Sequence, residues 1–339
     1  MTKTIEAALI PGDGIGPEIT KATIAVLDAV GSPFKWTECS AGLTAFENTG
    51  TSLPQETLDV IDRTRLALKG PLATPLGGGY RSATVQMREK FKLYANVRPA
   101  RTLVPGRYDN VDIILVRENL EGLYVGREHY IEVGGDPHGI GVGIGINTKE
   151  GMTRCLRYSF ELAVKLGRKK VTVVHKANVL KVLTGVFLEA AEELATEYKS
   201  RLVIDDMIVD ACAMNLVLRP ESFDVIVTTN LFGDILSDLI AGIVGGLGLV
   251  PGANVGNDAA IFEAVHGTAP DIAGRGLANP TALLMASAMM LDHVAEGAKA
   301  DKLRSAILKT LKSGQKTGDL GGSLGTQAYA EAVIANLSA

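Results

Sequence analysis

The chain has 339 residues, 46% apolar and 21% charged, the make-up of a globular protein rather than a disordered or fibrous one. Lys and Arg number 34 against 38 Asp and Glu, a net charge of −4 that offers nucleic acid no general basic footprint. The longest uncharged apolar runs, 239–250 and 282–291, are too short to span a bilayer, and Cys39, Cys155 and Cys212 lie too far apart in sequence for a paired zinc or disulfide spacing.

The N-terminal MTKTIEAALIPG lacks the apolar core of an export signal, so the expected compartment is the cytoplasm. Residues 6–10 read as a strand that enters the turn Pro11-Gly12-Asp13-Gly14-Ile15-Gly16-Pro17. A helix follows over about 17–30, with Pro at its start and Gly31 past its end. Strands are expected at 34–38 and 66–69, the second running into a Gly- and Pro-rich loop over 70–79. From there strands and helices alternate: strand 111–117, helix 151–166, strand 171–175, helix 177–197, strand 202–209, helix 211–218, strand 225–228 and a helix from Leu231. The alternation predicts an α/β fold with a largely parallel sheet. Residues 130–146 break it, and the small/branched alternation of 141–146 suits an arm or interface sheet. The opening Gly12-Asp13-Gly14-Ile15-Gly16 imitates a dinucleotide fingerprint, with Glu38 some way downstream. Its third glycine comes one residue early and Pro17 starts the helix too soon, so a tight structural turn is the better reading.

The residues able to carry chemistry are scattered. Asp234 and Asp238 stand four apart on a predicted helix, which puts both carboxylates on one face. Their repulsion calls for compensation by solvent, a basic partner or a hard cation such as Mg²⁺ or Mn²⁺. Asp210, at a predicted strand end, is a third candidate ligand. Arg88, Arg98 and Arg117 sit near element ends, and converging guanidinium forks would suit a polyanionic acid. Tyr124 and Lys176 could form an acid/base pair. His266-Gly267-Thr268-Ala269-Pro270 could form a loop whose backbone N–H groups meet a phosphate, supported by Asn279. Each of these, taken alone, is matched by a bland reading as surface charge or turn.

Together and in order they are far more specific. IPGDGIGPEI (10–19), LYANVRPAR (93–101), VRENLEGLY (116–124), VHKANV (174–179), NLFGDILSDL (230–239) and FEAVHGTAPDIAG (262–274) resemble the motifs of the metal-dependent β-decarboxylating dehydrogenases over essentially the whole chain. That family includes isocitrate, isopropylmalate, homoisocitrate and tartrate/malate enzymes. The resemblance implies a two-domain isocitrate/isopropylmalate dehydrogenase-like fold, mostly parallel and not a Rossmann fold. It implies a large domain of 1–98 plus 255–339, and a small domain of 99–254 with an inter-subunit arm and the dimer interface. Arg88, Arg98 and Arg117 would bind substrate carboxylates, Tyr124 and Lys176 would be catalytic, and Asp210, Asp234 and Asp238 would hold Mg²⁺ or Mn²⁺. In a homodimer with shared active sites, Asp210 and Lys176 would face Asp234 and Asp238 of the other subunit. His266, Gly267, Thr268, Ala269, Asp271, Ile272 and Asn279 would hold NAD, with Asp271-Ile272 where NADP-preferring relatives carry Lys-Tyr.

In the loop 77–85, Ser82 and Thr84 occupy positions that meet the γ-carboxylate in isocitrate enzymes. Two hydroxyls suit a carboxylate better than the alkyl group of isopropylmalate, although Ser82 also suits a helix cap. Arg81 keeps homoisocitrate open as the substrate. The implied activity is therefore NAD-dependent oxidative decarboxylation of isocitrate, a small-molecule substrate, with no nucleic-acid or membrane partner. The rival of another class is a catalytically silent regulatory subunit, which would lack members of the acid/base, arginine or metal set; none is lacking.

Overall fold

The computed structural model describes residues 4–75 and 79–337. Its strands, in chain order, are β1 (Ile5–Ile10), β2 (Phe34–Glu38), β3 (Leu66–Lys69), β4 (Ala95–Arg101), β5 (Asp112–Glu118), β6 (Gly122–Val133), β7 (Asp136–Ile146), β8 (Lys170–His175), β9 (Val203–Ile208), β10 (Val225–Thr228), β11 (Pro251–Val255) and β12 (Ala260–Ala264). The contacts divide the chain into two compact units, one of 1–93, 99–109 and 241–339, the other of 94–98 and 110–240.

In the first unit the strand order is β2-β1-β3-β12-β11, parallel except for the β11/β12 pair. Its central strands are buried on both faces: all four residues of β3, ending in the buried Lys69, and the last four of β1 are buried. A core cluster including Ile10, Ile61, Ala67, Met87, Leu93 and Ile261 lies around them. Between β1 and the helix Gly16–Ala29 the chain turns through Gly12 and Gly14, both at positive φ (84° and 58°). Pro17 starts that helix, and Gly31, at φ 72°, follows its end.

The second unit is built on the order β4-β5-β10-β8-β9, and the pairs β5/β10, β10/β8 and β8/β9 are parallel. The hairpin β6/β7 forms a separate two-stranded antiparallel sheet, pairing Gly122 with Ile146 and Tyr130 with Gly141. The helix Lys149–Lys165 follows, its N-terminus capped by Thr148, whose hydroxyl accepts from the Gly151 N–H at 3.0 Å.

The mostly parallel α/β architecture agrees with the sequence reading, with corrections at several elements. The helix expected over 177–197 is confined to Gly185–Ala195. Residues 176–184 wind as separate turns, with Leu180 N–H donating to the Lys176 carbonyl and Thr184 N–H to that of Leu180. Val179 and Val182 are 65% and 81% exposed, so no buried face stabilises a longer helix in this chain. The strand expected to 209 ends at Ile208, and the helix Val209–Leu218 starts early enough to take Asp210 into its first turn. The long hairpin starts at Gly122 rather than near 130. Strands β4, β11 and β12 and the helices Leu43–Thr49 and Gln55–Thr64 were not expected. Among the described residues no helix is long and apolar enough to cross a membrane, and all three cysteines are free.

Candidate active site

In the second unit the parallel register brings the candidates to one end of the sheet. Arg117 on β5 pairs with Thr228 on β10, and Thr228 with Val174 on β8. Lys176 therefore leaves β8 at the same level, and Asp210 follows β9 closely because His175 pairs with Ile208. The carboxyl ends of parallel strands are where such sheets carry their sites.

Asp234 is the centre of this group. It lies on the helix Asn230–Ile243, where Arg117 pairs with its Oδ1, Arg98 approaches the same oxygen at 3.6 Å, and the Tyr124 hydroxyl donates to its Oδ2. Arg98 also stands 3.7 Å from Asp238. The repulsion that the four-residue spacing creates is thus compensated within the chain by two arginines, themselves 8% and 2% exposed in their side chains. The arginine positions are fixed by residues the sequence reading passed over. Asn230 accepts from Arg117 Nε and Nη2 at 3.0 and 2.7 Å, Asn96 accepts from Arg98 Nε, and Ser237 from Arg98 Nη1. The Arg117 guanidinium lies 4.9 Å from the Tyr124 ring centroid, a cation–π contact.

Burial first, and then the hydrogen bond to Asp234, push the Tyr124 phenol above its ordinary range. It therefore holds its proton at neutral pH. Partial burial also raises the Asp238 carboxyl, against the pull of Arg98 and with the push of Asp234. Lys176 pairs with Asp210, and that hydrogen bond holds the Asp210 carboxyl low. His175 steadies the turn by accepting the Ala177 N–H at Nδ1, while its Nε2 meets Asp206 at 3.0 Å. Lys176 and Asp210 thus form one group, and Asp234, Asp238, Arg98, Arg117 and Tyr124 another. Among the described residues no three His, Cys, Asp or Glu side chains come together as a metal site. The oxygen donors themselves are of the hard type that Mg²⁺ or Mn²⁺ prefers.

The first unit holds the other candidates. Arg88, buried on the helix Ala83–Lys90, donates from Nε to Asn254 at 2.9 Å and meets Glu263 at 3.4 Å. Glu263 also receives Lys69 at 2.8 Å and the Asn254 amide at 2.7 Å. Burial would raise this carboxyl, but Lys69, Arg88 and Asn254 overcome it and hold it down at about 2. Ser82 caps the helix, accepting from Val85 N–H at 3.5 Å, and Arg81 pairs with Glu89. Residues 77 and 78 of the expected selectivity loop lie outside the described residues, and Thr84 is half-buried.

Beyond β12 a cavity of about 660 Å³ is lined by His266, Gly267, Ala269, Ile272 and Asn279, together with Ile15, Leu277, Asp319 and others. Five of the seven residues expected to hold the cofactor therefore line one cavity. Thr268 instead turns its carbonyl to the Ile15 N–H at 2.9 Å. Asp271 stands exposed in the short turn Pro270–Ile272, and among the described residues its carboxylate has no partner. The chain reverses here at Ala269, whose φ of 40° is left-handed. The buried Nε2 of His266 has no hydrogen-bond partner, and burial holds its imidazole below the usual value. An unsatisfied polar atom at a cavity wall fits a cradle that a polar cofactor completes.

The profile of the isocitrate/isopropylmalate dehydrogenases matches residues 6–333. The chain belongs to the isocitrate/isopropylmalate dehydrogenase family. It is 44% identical over 341 residues to the Arabidopsis thaliana protein named NAD isocitrate dehydrogenase catalytic subunit 5, mitochondrial, covering 99% of this chain and 89% of that one. It is 46% identical over 330 residues to the isocitrate/homoisocitrate dehydrogenase of Thermus thermophilus, covering 96% of each. The crystal structure of isocitrate dehydrogenase from Methylococcus capsulatus superposes with a TM-score of 0.96 at 50% identity, over 99% of this chain and all of that one. The chain is thus an enzyme of this dehydrogenase family with the family fold, as the sequence reading expected.

Proposed function

We propose that this dehydrogenase oxidises isocitrate with NAD and decarboxylates the product to 2-oxoglutarate, releasing CO₂ and NADH, in a reaction that needs Mg²⁺ or Mn²⁺. The observation that carries the reading is the group around Asp234, where two arginines, a second aspartate and a proton-bearing tyrosine meet on one helix face. Two guanidinium groups against two carboxylates leave that group neutral, so an anionic substrate needs further positive charge there. When bound, a divalent cation would supply that charge and polarise the substrate hydroxyl, and NAD would accept the hydride from the same carbon.

Arg88, Arg98 and Arg117 would take the substrate carboxylates. Asp210, Asp234 and Asp238 would hold the cation, Lys176 would help remove the hydroxyl proton, and Tyr124 would return a proton to the carbon that loses CO₂. The cavity beside His266 would hold NAD, with Asp271 and Ile272 at the adenosine ribose. We take the unit containing 241–339 as the large domain and the unit containing 110–240 as the small one. The hairpin β6/β7, with Tyr130, Val133 and Ile144 at 64%, 52% and 46% exposed, fits an arm that a second subunit covers. The unpaired cysteines suit a reducing compartment, which we take to be the cytoplasm.

Homoisocitrate is the second reading, since a relative carries both names. Arg81, the basic residue that would suit it, is paired with Glu89 in the chain as it stands. The purified chain, assayed alone, should show the highest kcat/KM for isocitrate among isocitrate, homoisocitrate and isopropylmalate. Activity should disappear in excess EDTA and return with Mg²⁺ or Mn²⁺. A higher value for either rival acid overturns the substrate assignment, full activity in EDTA overturns the metal, and a silent chain points to a regulatory subunit.

A further inference from the structure

Asp13 has no part in the reading above, yet its carboxylate is 4% exposed and fully engaged. Oδ2 accepts the Leu43 N–H at 2.9 Å and the Ala73 N–H at 2.8 Å. Oδ1 accepts the Thr44 N–H and hydroxyl, both at 3.0 Å. Both connections lead on to Ser82. Ala73 takes the Tyr80 hydroxyl on its carbonyl at 2.9 Å, and Tyr80 lies 4.6 Å from the ring of Phe46 in the helix that Asp13 holds. Gly42, at the head of the same helix, donates to Ser52, whose hydroxyl donates to the Arg81 carbonyl at 3.0 Å.

The other side of the same turn faces the cofactor loop. Ile15 N–H donates to the Thr268 carbonyl, and a Cβ on Gly14 would fall on that carbonyl oxygen. Gly12 is pressed as closely against Pro71, whose carbonyl accepts the Asp13 N–H at 2.8 Å. The parallel neighbours β1, β3 and β12 explain the arrangement: their carboxyl ends release the turn, the segment beginning at Gly70 and the loop beginning at Val265 side by side.

We propose that the turn 11–16 positions two binding loops separately, Asp13 acting through Ala73, Tyr80 and Ser52 on the chain entering Ser82 and Thr84, and Gly14 fixing the cofactor loop at Thr268; the ligands named rest on the functional reading above. Three backbone amides held by one buried carboxylate are lost unequally when one of its oxygens becomes an amide nitrogen. Asp13→Asn should therefore speed amide exchange at 43–44 and 72–74 by at least ~10-fold in the unliganded enzyme, the worth of a charged hydrogen bond. Exchange over 266–272 should stay within about twofold, since its contact with Ile15 is untouched. In kinetics the same variant should raise KM for isocitrate by ~10-fold or more and leave KM for NAD within about twofold, as displaced binding groups do. Gly14→Ala should do the reverse in both measurements. Thr44→Val, which removes a single hydroxyl, should change neither KM by more than about threefold.

Asp13→Asn that loosens both loops alike, or neither, overturns the proposal, and so does an equal rise in the two KM values. If Gly14→Ala does not fold, Asp13→Asn still decides, because its effect on 266–272 tests the separation directly. A wild-type enzyme inactive with isocitrate and NAD, but with the expected exchange pattern, would overturn the functional reading and leave the brace in place.

Discussion

At the scale of one side chain, the proposed cofactor choice rests on Asp271. An exposed carboxylate with no partner among the described residues is placed to accept hydrogen bonds from ribose hydroxyls, and it repels a 2′-phosphate. Ile272 beside it lines the cavity and offers no donor. A preference for NAD over NADP of at least ~100-fold in kcat/KM is expected, roughly 2.7 kcal/mol. Asp271→Lys with Ile272→Tyr should move the ratio towards NADP; a wild type that uses both equally, or a ratio that the double change leaves alone, rejects the assignment. Glu263 sets a different limit, on stability. Its carboxyl, held at about 2 against an ordinary 4.5, contributes stability that is present above pH 4.5 and lost as the pH falls through about 2. Glu263→Gln leaves Lys69 and Arg88 buried with a weaker partner, so it should cost about 3–5 kcal/mol at neutral pH. Urea titrations at pH 7 and at pH 3 should show most of that difference shrinking in acid. A cost below about 1 kcal/mol at pH 7 would mean that the ions are not held by this carboxylate.

The helix Asn230–Ile243 gathers the site at the next scale, and Gly233 shows how closely. A Cβ at this position would lie 2.6 Å from Arg117 Cγ and 2.7 Å from its Cβ, so the helix passes over the strand only because no side chain intervenes. Gly233→Ala should push Arg117 off Asn230 and lower kcat/KM for isocitrate by ~100-fold, as a displacement of about 1 Å can. Unchanged kinetics in a folded Gly233→Ala enzyme would show that Arg117 needs no such placement. The sequence made much of this helix legible, since the four-residue spacing of Asp234 and Asp238 survives in any α-helix. It could not show what neutralises the pair. Arg117 reaches Asp234 across 117 residues and Arg98 reaches Ser237 across 139, distances that leave no local period. Asn230, Asn96, Asn254 and Ser237 were missed for the same reason, being short polar residues whose role exists only after folding. Strands bounded by turn residues and buried on both faces were read correctly, as β3 and β10 illustrate. β4 (ANVRPAR) and β11 (PGANV) were not, because Pro, Asn and Arg mask their extended backbone. The helix over 177–197 was over-read because Val179 and Val182 imitate a buried face that nothing in this chain covers.

At the scale of the whole molecule, one chain holds the proposed metal ligands in two groups rather than one. Asp210 is paired with Lys176, while Asp234 and Asp238 are held by Arg98 and Arg117. The helices that bear them also show apolar side chains to solvent, Met214 and Leu218 at 55% and 69% and Ile235 at 60%. Exposed apolar groups beside charged site residues are what an interface through the site would leave uncovered in a single chain. A homodimer whose sites each take Lys176 and Asp210 from one subunit and Asp234 and Asp238 from the other accounts for both observations. Such sharing has a consequence that no single-chain site has. Lys176→Ala and Asp234→Ala should each be nearly inactive as pure proteins. After the two are mixed, unfolded and refolded together, half of the dimers should be mixed by random pairing, and each mixed dimer has one site with both wild-type residues and one with neither. Recovered activity near one quarter of wild type is then expected, on the order given by one working site in every two dimers. Subunit exchange would be verified separately, by mass spectrometry of differently tagged variants. Proven mixed dimers that stay inactive would show that each chain builds its site alone, and the division of the aspartates would then need a rearrangement within the chain.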